Sequence, residues 1–142
     1  MIEIINNKFR NLDTNLIKTW VKEIISDHNK LEGKVFINFV NKKKMSELNL
    51  EFLNHDSITD IITFDNCKKN EISGEIFISD YMLRENASKY NQTAENEAIR
   101  LISHGVAHLL GHNDKTKKEK KKMTQIENKF INMFHVKQTQ NV

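Results

Sequence analysis

Cysteine occurs once in this 142-residue chain, proline not at all and arginine only three times. One thiol, Cys67, excludes an internal disulfide and any cysteine cluster for zinc, and it fits a reducing compartment. On its own it reads as a small buried or half-buried side chain. No run approaches the roughly 18 apolar residues that a membrane helix needs. The amino-terminal "MIEIINNKFR" lacks the basic, apolar and small-residue regions of a secretory signal. A cytoplasmic protein with no membrane partner is the expectation. Apart from one lysine block, nothing resembles a linker, a repeat or a low-complexity tract. A single domain over residues 1–142 follows, a length that buries roughly two-thirds of the surface the unfolded chain exposes.

What is abundant carries less weight. The chain has 19 Lys, 18 Asn and 17 Ile, a bias we read as A/T-rich coding. The net charge of +3 is uneven: "KTKKEKKK", residues 115–122, carries +5, and the remainder carries −2. Such a block attracts a polyanion or simply solvates a helix face.

The apolar pattern alternates between strand and helix signals. "IEII" near the start and "KVFINFV", Lys34 to Val40, read as strands. Between them, Leu12, Leu16, Ile17, Trp20, Val21, Ile24 and Ile25 recur at helical spacing, with Trp20 as core, and "SDHNK" with Gly33 ends the helix. Met45 to Leu53 reads as a short helix with Leu48 and Phe52 on one face. Thr59 to Phe64 and Ile72 to Ser79 are β-rich runs able to pair. Three helices follow: "DYMLRENASKY", a broadly apolar one from Thr93, and a last one whose "TKKE" at Thr116 has capping-box spacing. This order predicts an α/β (α+β) fold, a mixed four-stranded sheet packed with about five helices.

Three of the six histidines fall within "HGVAHLLGHND", His104 to Asp114. His104 and His108 are i and i+4, on one helix face and one turn apart, so both rings reach a single ion. His112 lies eight residues beyond His104, about 12 Å along a straight helix, too far to share that ion. Gly111 suits the left-handed position that ends a helix, so the chain turns back and Asp114 is the first strong ligand type beyond it. The reading is a metal-binding helix with HxxxH in which His104, His108 and Asp114 hold one Zn2+ and a fourth position is open to water. Nickel, cobalt or manganese suit the same donors. Gly105 inside the helix costs about 1 kcal/mol against Ala and implies close backbone approach, to the sheet or to substrate. His28 and His135, without such partners, read as core or surface residues.

These residues resemble the YbeY-type rRNA maturation endoribonucleases, whose pattern H-G-x-x-H-L-x-G-x-x-H is matched at His104, Gly105, His108, Leu109 and Gly111. Asp114 stands where most members have a third histidine. Upstream, "LNLEFLNHDSITDIITF" and "ISGEIFIS" resemble the family's corresponding segments, with Leu53 where an arginine is expected and His55 at a nearby basic position. The likeness covers roughly Lys34 to Phe134. It implies a metal-dependent, single-strand-specific endoribonuclease acting in maturation of the 3′ end of small-subunit (16S) rRNA and in ribosome quality control, with RNA or the small subunit as partner. Metal-activated water is the catalytic group that the resemblance implies, with His55 a further candidate and no general base assigned. Arg100, Lys115, Lys117, Lys118 and Lys121 are candidate RNA contacts.

Two other classes stay open. A ribosome-associated RNA-binding factor with a mainly structural metal is favoured by Leu53 in place of arginine. A metallopeptidase is disfavoured, because the H-E-x-x-H design takes its general base from the residue after the first histidine, and here that residue is Gly105.

Overall fold

In the computed structural model, residues 1–53 and 59–140 are described. Strand β1 (Ile2–Ile5) leads into helix α1 (Thr14–Asp27), and β2 (Leu31–Val40) into α2 (Lys42–Leu48) and a π-helical turn (Asn49–Leu53). Strands β3 (Ile61–Asp65) and β4 (Glu71–Ser79) precede α3 (Asp80–Lys89), α4 (Ala94–Leu109) and α5 (Lys117–Gln140). The sheet order is β1-β2-β4-β3. The first two pairings are parallel and β3 runs antiparallel to β4, Ile61 opposite Ile78 through Asp65 opposite Gly74. The two β-rich runs therefore do pair, and the sheet is mixed as the pattern required.

Strand alternation decides what each face buries. Val35, Ile37 and Phe39 of β2 and Ile72, Ile76 and Ile78 of β4 turn to one face, where α1, α4 and α5 cover them. Trp20 is fully buried there, and its indole N–H donates to the Phe130 carbonyl at 2.9 Å, so α1 and α5 are joined by a satisfied polar contact inside an apolar core. The opposite face carries a smaller cluster in which Met45 and Leu48 of α2 pack with Ile62, Val40, Phe64 and Phe77.

Capping chemistry sets most boundaries, and it moves several of the expected ones. The Asp13 carboxylate accepts from the N–H groups of Asn15 and Leu16, so α1 begins at Thr14 and the buried Leu12 lies just outside it. Asn29, with φ 57°, ends α1: its N–H bonds the Ser26 carbonyl and the Lys30 N–H bonds that of Ile25. Gly33 is therefore not the terminator but a residue within β2, which starts three residues before Lys34. The Asn41 side chain caps α2 at Lys44, and the helix gives way to the π turn after Leu48. Phe52 is consequently 54% exposed and lies edge-on to Phe64, 5.1 Å between ring centres, instead of sharing the Leu48 face. At the head of α5 the capping box forms as its spacing predicted: Thr116 Oγ1 accepts from the Glu119 N–H at 3.0 Å, and the Glu119 carboxylate accepts from the Thr116 N–H at 2.9 Å.

Candidate metal centre

Helix α4 carries the two histidines across the sheet, and Gly105 between them is what lets it come close. A Cβ there would lie 2.9 Å from Ile76 Cδ1 and 3.2 Å from Ile61 Cδ1, so the bare backbone rests directly on β4 and β3. The approach is to the sheet. After Leu110 the helix closes with Gly111 at φ 97°, its N–H bonding the His108 carbonyl while the His112 N–H bonds that of Ala107. This left-handed turn returns the chain toward the helix and carries Asp114 to the histidines.

The three predicted donors meet. His104 Nε2 lies 3.0 Å from His108 Nε2 and 3.2 Å from Asp114 Oδ2, and His108 Nε2 lies 3.3 Å from that same oxygen. Donors each about 2.0–2.1 Å from a tetrahedral ion stand roughly 3.3 Å apart, so the spacing fits one cation. The far ring nitrogens are engaged as well. His104 Nδ1–H donates to the Glu127 carboxylate at 2.6 Å, and His108 Nδ1–H donates to the His112 carbonyl at 2.9 Å. With both Nδ1 hydrogens so used, neutral rings present two Nε2 lone pairs beside a carboxylate oxygen. Three acceptors that close suit a shared cation between them. The donor set thus fits a divalent ion, and among the described residues it is the one His/Cys/Asp/Glu group gathered closely enough to hold one.

Glu127 escaped sequence reasoning, although a signal was present. It sits on the buried stripe of α5 formed by Met123, Phe130 and Phe134, where a carboxylate is out of place unless paired. Its other partner is Arg100, whose Nη1 lies 3.6 Å from Glu127 and whose Nη2 and Nε bond the buried Glu97 at 2.6 and 2.8 Å. Arg100 is thereby committed to two carboxylates. Its guanidinium is held above its ordinary value chiefly by the Glu97 hydrogen bond, which outweighs the cost of burial. At His104 burial disfavours the charged ring, but the hydrogen bond and charge of Glu127, with the Asp114 charge, overcome it and raise the imidazole above its usual value.

His112 points elsewhere. Its ring packs edge-on to His28, 6.1 Å between centres, and burial with the nearby His28 lowers its pKa. His28 bonds the Ile24 carbonyl through Nδ1, and His135 is exposed on α5, as expected of residues outside the site. Cys67 is half-buried, its Sγ 3.4 Å from the carbonyls of Ser73 and Leu109. His55 falls outside the described residues.

The triad opens into a cleft of about 700 Å³. Leu53, Ile61 and Ile62 form apolar parts of its wall, Thr59, Asp60, Thr63 and Asp65 the polar parts, and Lys115 stands at its rim. Lys117, Lys118 and Lys121 are exposed on the first turns of α5.

Comparison with known proteins points to one family. The family model described as Endoribonuclease YbeY matches residues 2–135. A curated Endoribonuclease YbeY of Phocaeicola vulgatus is 42% identical over 112 residues, 79% of this chain and 81% of that protein. Another, from Christiangramia forsetii, is 37% identical over 121 residues, 85% of each. The solution structure of TM1509 from Thermotoga maritima superposes with a TM-score of 0.69 at 29% identity, covering 99% of this chain and 93% of that one. On the strength of the matched motif, the converging donors and these relatives, this chain belongs to the endoribonuclease YbeY family.

Proposed function

We propose that this protein is a zinc-dependent, single-strand-specific endoribonuclease that matures the 3′ end of small-subunit rRNA and serves ribosome quality control in the cytoplasm. The convergence of His104, His108 and Asp114, each histidine held from behind by its own acceptor, carries the reading. Residues 1–142 act as one catalytic domain. No helix among the described residues is long and apolar enough to cross a membrane, which is compatible with that location.

A divalent ion held by these donors supplies Lewis acidity toward a phosphoryl oxygen and lowers the pKa of water near it. The chain's own residues do the rest. Glu127 and the His112 carbonyl fix the ring orientations and leave Nε2 basic. Arg100 bridges Glu127 and Glu97 and lowers the repulsion between the two buried carboxylates, and it acts as a positioning residue. Leu53, Ile61 and Ile62 make one wall of the cleft apolar. Lys115, with Lys117, Lys118 and Lys121 nearby, places positive charge where a polyanion approaches.

The test joins metal analysis with RNA cleavage for wild type, His108→Ala and Asp114→Ala, on a single-stranded RNA carrying small-subunit rRNA 3′ sequence. The reading expects about one zinc per chain in wild type, cleavage by wild type alone, and folded variants. Cutting that survives His108→Ala would overturn it. A second reading, an RNA-binding factor whose metal is structural, is favoured by Leu53, which puts an apolar side chain on the cleft wall where the family pattern has an arginine. It predicts that wild type holds metal and binds RNA without cutting it, and that removing the metal lowers the melting temperature sharply.

A further inference from the structure

A second cleft, of about 670 Å³, lies at the carboxyl ends of the three parallel strands and contains none of the metal donors. Its position has a topological cause. After β1 the chain crosses to the face covered by α1, and after β2 it crosses to the opposite face with α2. Diverging connections leave a crevice between strand ends, the place where open α/β sheets take ligands.

The lining is basic. Lys8 comes from the loop after β1, Lys42 and Lys44 from the start of α2, and Arg84 from α3, against the carboxylates of Asp80 and Glu85. Arg84 is paired with Asp80 at 3.1 Å. Among the described residues, no carboxylate pairs with Lys8, Lys42 or Lys44. Three exposed ammonium groups, one from the loop after β1 and two from the first turn of α2, thus line the cleft without a direct ion pair, beside the carboxylates of Asp80 and Glu85. Lys42 is also oriented, its Nζ 4.4 Å from the centre of the Tyr81 ring, which holds the charge over the cleft. Such a set suits the phosphate of a nucleotide or of a nucleic-acid strand.

The two clefts are linked through the sheet. The backbone carbonyl of Asp60, a residue on the wall of the metal cleft, accepts the Ser79 N–H at 2.9 Å, and the residue after Ser79, Asp80, lines the second cleft. We propose that the cleft bounded by Lys8, Lys42, Lys44 and Arg84 is a phosphate-binding subsite that takes the backbone of the RNA strand flanking the bond presented to the metal. The inference rests on the RNA-cleaving reading above.

The experiment measures affinity for a labelled single-stranded oligoribonucleotide against salt, for wild type, Lys42→Gln/Lys44→Gln, and a charge-matched control, Lys18→Gln/Lys22→Gln, on α1. Two lost phosphate contacts should flatten the slope of log K against log salt by about 1.4, at about 0.7 per contact for a single strand. The control should keep the wild-type slope. Adenosine monophosphate, titrated by NMR, distinguishes a free phosphate ligand. If it binds the wild-type cleft and not the variant while the RNA slope is unchanged, the assignment to RNA is overturned. If neither probe separates the variant from wild type, the subsite itself is overturned. Cleavage is scored separately: a variant with the wild-type slope beside a wild type that cuts would sink only this inference. A flattened slope beside a wild type that never cuts would support the subsite and remove the nuclease.

Discussion

Removing Glu127 should weaken metal binding without removing a ligand. The carboxylate receives the His104 Nδ1–H at 2.6 Å and lies in the core of α5, where no water can replace it easily. Loss of such an outer partner lowers metal affinity about 10- to 100-fold, or about 1.4–2.7 kcal/mol. The two available variants should divide that range. Glu127→Gln keeps an oxygen to accept the Nδ1–H but loses the charge, and belongs near tenfold. Glu127→Ala loses orientation and charge together, and belongs near a hundredfold. The pH dependence has a definite sign. Glu127 raises the His104 pKa in the metal-free protein, so wild type must shed a proton to bind metal when the pH is below that value, and the variants shed it more readily. The affinity gap should therefore be full at alkaline pH and should narrow as the pH falls. Competition with a chromophoric chelator between about pH 6 and 8.5 reads this directly, spanning the ordinary imidazole pKa. Circular dichroism and the metal-free melting temperature establish that each variant is folded. A folded Glu127→Ala protein that binds metal within about twofold of wild type, well below the expected loss, would refute the argument.

Three further outcomes follow from the same structure. Asp114→His replaces a carboxylate by a neutral ring and raises the formal charge of the site, so the limb of the pH–rate profile that rises with pH should move to lower pH, and an unmoved limb would refute the carboxylate's part. Gly105→Ala gains about 1 kcal/mol of helix propensity, yet its methyl would press on Ile76 and Ile61 in a full core, where overpacking costs about 1–3 kcal/mol. A lower melting temperature and weaker metal binding should result, and a raised melting temperature would show that α4 does not rest on the sheet as described. Neutralising Lys117, Lys118 and Lys121 should flatten the salt dependence of RNA binding by up to about 2, and an unchanged slope would return these lysines to a solvated helix face.

The periodicities that named the elements depend on residues close together in the chain, which is why they were legible. The i,i+4 histidines, the glycine that ends α4 and the Thr116 capping box are local devices whose geometry one helix or one turn specifies. Boundaries moved where a cap competed with an apolar pattern. Asn29 took the left-handed position that Gly33 seemed to offer, because asparagine also tolerates it and lies directly after the last helical turn. Phe52 left its predicted face because the π turn changes the angular step between residues.

The family and the three donors were thus written in residues 104–114. Their support was not. Glu127 is 23 residues from His104, and Arg100 reaches it only because α4 and α5 pack together. The basic cleft draws on residues after β1, β2 and β4, which meet only when the sheet orders its strands and the chain leaves β1 and β2 toward opposite faces. Sequence alone determined which donor side chains gather, since helical pitch and one glycine turn suffice to bring them together. Tertiary packing decided what holds those ligands and where else the surface is charged, since both depend on contacts between elements that no local spacing encodes.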